Sequence, residues 1–87
     1  MTPERGQVPL QDPPPNLVQR HRWEVGARIR DLRVCRSLTQ EQLAEAIGVD
    51  RKTVNRWETG YHEFGIDTVA RIAYALDVPS WRLFRDE

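Results

Sequence analysis

A single cysteine, Cys35, leaves the 87-residue chain without the means for an internal disulfide. A structural zinc site needs about four protein ligands, and only His21 and His62 could join Cys35, so no metal and no cofactor is expected. The five glycines are scattered rather than gathered into a phosphate-cradling loop. Long apolar runs are missing as well, which excludes a transmembrane span. Met1 to Gln19 carries neither the basic start nor the apolar stretch of a secretory signal, so a cytoplasmic location is expected. Net charge is absent: 13 Lys and Arg balance 13 Asp and Glu, which argues against a nonspecific polycation. A chain of this length has room for one small core and, on that ground, no second catalytic domain is expected.

The charge is nevertheless unevenly spread. Nine Lys or Arg face six Asp or Glu between Arg20 and Gly60, and the flanks reverse that surplus. Five of the six prolines fall in the first fifteen residues, among almost no large apolar side chains, so residues 1–16 read as a disordered or extended arm. From Leu17 or Trp23 the pattern turns helical, because Val25, Ile29 and Leu32 recur at spacings of four and three and share one face. That helix is expected to end near Arg36, with Ser37 and Leu38 as a link. Thr39 stands three residues before Gln42, the spacing of a capping box, so a second helix runs to about Ile47. Gly48 supplies a sharp turn, and Asp50 caps a third helix that stops at Gly60. Asp67 is expected to cap a fourth helix with Val69, Ile72, Ala73 and Leu76 inward. Pro79 or Ser80 opens a fifth, bearing Trp81, Leu83 and Phe84. No stretch alternates as a strand would, so the fold class is all-α.

The stretch QEQLAEAIGVDRKTVNRWE combines sizes that a helix-turn-helix demands. Ala44 is small where two helices cross, Gly48 turns the chain, Leu43 and Ile47 face inward from one helix, and Val54 and Trp57 do so from the next. In that register the sequence resembles the phage repressor and Cro (XRE-type) family of helix-turn-helix proteins from about Trp23 to Phe84, through RIRDLRVCRSLTQEQLAEAIGV, TVNRWETG and ALDVPSWRLF. The resemblance implies a compact five-helix, lambda-repressor-like DNA-binding domain over residues 17–87, with the helix-turn-helix at about 39–59. It implies a transcriptional regulator, most simply a repressor, whose third helix lies in the major groove of double-stranded DNA.

On that arrangement Arg51, Lys52, Asn55 and Arg56 face outward and read bases: arginine donates twice to guanine, and asparagine pairs donor and acceptor with adenine. Gln40 is implied to hold a phosphate at the start of the second helix, with Thr39, Thr53 and Arg36 as further phosphate contacts. Arg33 and Glu58 are implied to pair across helices as a structural element. After Gly60 the family's Lys or Arg is replaced by Tyr61, His62, Glu63 and Phe64, which weakens phosphate grip there, and Asp77 stands where glycine is common.

One helix covers few base pairs, so a homodimer on a pseudo-palindromic operator is expected, paired through Trp81, Leu83 and Phe84. The competing class is a protein-binding module, antitoxin-like or acting on another regulator, which zero net charge and the acidic loop would suit. Enzyme chemistry would have to be assembled from His21, His62 and Cys35, whose spacing has no catalytic pattern, and no paired-carboxylate signature exists.

Overall fold

The computed structural model describes residues 14–61 and 63–85, so the expected arm before Pro14 lies outside the described residues. Four α-helices and one 3-10 turn are found there: α1 (Pro15–Cys35), α2 (Gln40–Ile47), α3 (Arg51–Glu58), α4 (Ile66–Leu76) and a 3-10 helix (Ser80–Leu83). The fifth helix expected from the sequence is therefore a single 3-10 turn, four residues being too few for an α-helical ladder after Pro79. Pro15 and Asn16, which composition groups with the arm, form the first turn of α1, where a proline's missing N–H costs nothing.

Local chemistry sets the helix limits. Thr39 and Gln42 exchange side-chain and backbone hydrogen bonds of 2.9 and 3.0 Å, closing the capping box of α2. Asp50 accepts the Thr53 amide at 2.9 Å and starts α3. The α4 start differs from expectation: Gly65 is its cap residue and Asp67 sits inside the first turn, making no capping hydrogen bond there. All four α-helices end alike, on one residue in the left-handed region: Ser37, Gly48, Gly60 and Asp77. In each case the following amide reaches back five residues, from Leu38, Val49, Tyr61 and Val78 to the carbonyls of Arg33, Ala44, Arg56 and Ala73, satisfying a free helix-end acceptor.

Each helix buries one stripe. Val25, Ile29 and Leu32 of α1, Leu43 and Ala44 of α2, Val54 and Trp57 of α3, and Val69, Ile72, Ala73 and Leu76 of α4 meet in one core, closed by Leu83. Phe64 packs its ring 6.2 Å from that of Trp57. Gly26 lies buried where α1 crosses the end of α3, and a Cβ there would collide with the Trp57 carbonyl and come within 2.8 Å of that of Glu58. No described helix is long and apolar enough to cross a membrane.

Candidate nucleic-acid interface

α2 and α3 pack against each other through Leu43, Ala44, Val54 and Trp57, and a left-handed Gly48 makes the tight turn between them. With Val54, Trp57 and Glu58 buried, the opposite face of α3 presents Arg51, Lys52, Asn55 and Arg56, all exposed. One face of α3 thus carries three cations and an amide within six residues, an arrangement able to donate hydrogen bonds to acceptors on bases or phosphates.

Beneath that face lies an ion pair. Arg33 reaches from α1 to grip both carboxylate oxygens of Glu58, Nε to Oε2 at 2.6 Å and Nη2 to Oε1 at 3.0 Å. Its third nitrogen donates to the Leu38 carbonyl at 2.7 Å, so the α1–α2 link is tied to the same group. The side chains are 11% and 2% exposed. The hydrogen bonds to Glu58 hold the guanidinium above its ordinary pKa, although burial pulls the other way.

The expected phosphate contacts do not form one set. Thr39 is exposed, and its oxygen accepts the Gln42 amide, which leaves the hydroxyl proton available. Thr53 donates its hydroxyl proton to Asp50 Oδ1 at 2.7 Å, so that proton is committed inside the protein. The same contact, followed by the Thr53 amide, keeps the Asp50 carboxyl below its ordinary value. Arg36 turns away to Asp77, donating to its backbone carbonyl at 3.0 Å and standing 3.7 Å from its carboxylate. Gln40 directs Nε2 to Glu58 Oε1 at 3.0 Å and to Asn55 Oδ1 at 3.2 Å. Sequence reasoning missed this link, because residues 15 and 18 positions apart meet only once the two helices have packed.

Of the three residues expected to pair copies, Leu83 is fully buried and belongs to the core, since it closes the end of the bundle against α1 and α4. Trp81 and Phe84 are half-exposed on the same turn, with the Arg85 guanidinium 5.2 Å from the Trp81 ring centroid. After Gly60, Glu63 is paired with Arg22 at 3.2 Å. His21 stands near Glu24 on α1, fourteen positions and thus about 21 Å of helix from exposed Cys35, and His62 lies outside the described residues.

A family model described as "Helix-turn-helix" matches residues 29–80. An uncharacterized HTH-type transcriptional regulator of Sinorhizobium fredii is 38% identical over 72 residues, covering 83% of this chain and 48% of its own length. The cryptic phage CTXphi transcriptional repressor RstR of Vibrio cholerae is 40% identical over 60 residues, covering 69% and 54%. The chain spans about half the length of these curated relatives. Among solved structures, the restriction-modification controller protein C.AhdI from Aeromonas hydrophila superposes with a TM-score of 0.73 at 33% identity, over 76% of this chain and 96% of that one.

Proposed function

Because the chain belongs to the helix-turn-helix family, we propose that it is a transcriptional regulator, acting as a cytoplasmic repressor, that binds double-stranded DNA in a sequence-specific manner with α3 in the major groove. The observation that carries this reading is the division of α3 into a buried stripe and an exposed face of Arg51, Lys52, Asn55 and Arg56. Arg51 and Arg56 act as base readers through bidentate donation to guanine, with Lys52 beside them. Phosphate is held at the start of α2, where the Thr39 hydroxyl and the free amides of the first turn converge. Two chains bind one operator, with Trp81 and Phe84 as the pairing patch. The names of the relatives, which include a repressor, support regulation rather than catalysis.

A protein-binding reading has its own support between α2 and α4. Tyr74 is 89% exposed and lines a groove of about 630 Å³ with Ala46, Ile47, Ala70, Arg71 and Ala75, a mostly apolar surface suited to an apolar partner. Titration of random-sequence duplex at two salt concentrations, followed by selection of bound sequences, separates the two. Salt-dependent binding with a selected consensus, which Arg51→Ala and Arg56→Ala relax, supports DNA reading. Failure to bind any duplex would leave the protein-binding reading in its place.

A further inference from the structure

The Glu58 carboxylate can only accept hydrogen bonds, so whatever amide group approaches it must present nitrogen. Gln40 does so: its Nε2 lies 3.0 Å from Glu58 Oε1, and Arg33 pins that carboxylate from the other side. The second Nε2 proton goes to Asn55 Oδ1 at 3.2 Å. Reversing Gln40 would set a carbonyl oxygen against a carboxylate, and reversing Asn55 would set two NH2 groups face to face. The orientation of an exposed amide on α3 is thereby dictated by a buried ion pair. No described residue accepts from Asn55 Nδ2, which is left to the solvent side as a pure donor.

We propose that Gln40 is a positioning residue for base recognition, holding Asn55 with Oδ1 turned inward and Nδ2 outward, so that Asn55 reads the acceptor edge of guanine instead of making the paired donor–acceptor contact with adenine. Guanine offers two acceptors, N7 and O6, to two Nδ2 protons, whereas adenine offers N7 beside an NH2 group that needs an outward Oδ1, which Gln40 keeps turned inward. The same geometry moves the side chain of Gln40 from a direct phosphate grip to a supporting part behind the reading face.

This inference rests on the DNA reading above, and the test separates the two. Sequences are selected from random duplex by the wild-type chain, Asn55→Ala and Gln40→Met, the last keeping the side-chain length without its donors. The step where Asn55→Ala flattens preference identifies what Asn55 reads. Wild type is expected to favour guanine there, and Gln40→Met to shift the guanine-to-adenine ratio toward adenine by about tenfold, with other steps unchanged. In the free protein, side-chain NMR couplings of Asn55 should report one rotamer in wild type and averaging in Gln40→Met. Adenine preferred by wild type, or a Gln40→Met variant weakened equally at all steps with its Asn55 rotamer unchanged, would overturn the inference alone. A wild-type chain that selects no sequence would remove the DNA reading and this inference with it.

Discussion

Glu58 joins three elements through one carboxylate, accepting from Arg33 of α1 and Gln40 of α2 while sitting on α3. Removing it strands a buried guanidinium, and the loss of such a partner costs about 3 to 5 kcal/mol. Glu58→Ala should therefore lower the unfolding free energy by roughly that amount in a urea titration, and a midpoint equal to wild type would show that Arg33 finds water instead. Arg33 stays charged at every accessible pH. Asp50 is different. Its carboxyl is depressed in the folded chain, first by the Thr53 hydroxyl and then by the Thr53 amide, so its stabilisation is complete above the ordinary value of 3.8 and is lost as pH falls through the lower folded value. Asparagine caps about as well and does not titrate. Melts across acidic pH should show wild type losing Tm relative to Asp50→Asn below pH 3.8, and parallel curves would refute the depressed carboxyl. The Thr39 and Asp50 caps were legible in sequence because they depend on neighbours three residues away. The Arg33–Glu58 pair was supplied only by family resemblance, and the Gln40 bridge by neither.

At the scale of the element, the left-handed helix ends divide by legibility. Gly48 and Gly60 announce themselves, and Asp77 stands where the family commonly has glycine, but Ser37 was read as a plain link. Serine carries no signal for positive φ; the back-reaching Leu38 amide and the Arg33 guanidinium on the Leu38 carbonyl hold it there. Gly26 is the converse case. On helix propensity alone, alanine inside α1 should be better by about 1 kcal/mol, and nothing local marks the position as special. The crossing reverses the sign, because the added methyl meets carbonyl groups of Trp57 and Glu58 that cannot move without shifting α3. Gly26→Ala is expected to destabilise by about 1 to 3 kcal/mol, the usual cost of overpacking. A chemical-denaturation midpoint above wild type would mean the helices can separate freely. The α4 start was misplaced for a related reason: Asp67 looks like a cap by residue type, yet the chain enters the helix two residues earlier, through Gly65 and Ile66.

For the whole molecule, the core was read nearly complete from apolar spacing, whereas the surface it leaves behind could not be. Trp81, Leu83 and Phe84 are indistinguishable as a string, and only the tight 3-10 turn sends Leu83 inward and leaves the two rings half-exposed. If those rings pair two chains, the recognition helices would lie about 34 Å apart on one face of the duplex. Sedimentation on a selected operator should give two chains per duplex at saturation, reduced to one when Trp81 and Phe84 are both changed to serine; a single wild-type chain per duplex would end the dimer proposal. α1 is a single rod of 21 residues, about 32 Å long. Near its start Gln19 donates to the Gly60 carbonyl at 2.8 Å and Trp23 lies over Gly60, while its end supplies Arg33 to Glu58 and Arg36 to Asp77. A codon inserted between Trp23 and Arg33 would turn the two ends about 100° out of phase, so that either the hold on Gly60 or the grip on Glu58 must be given up. Single-residue insertions in this window should abolish soluble expression in a library scan, making the middle of α1 a segment whose length evolution is not free to alter.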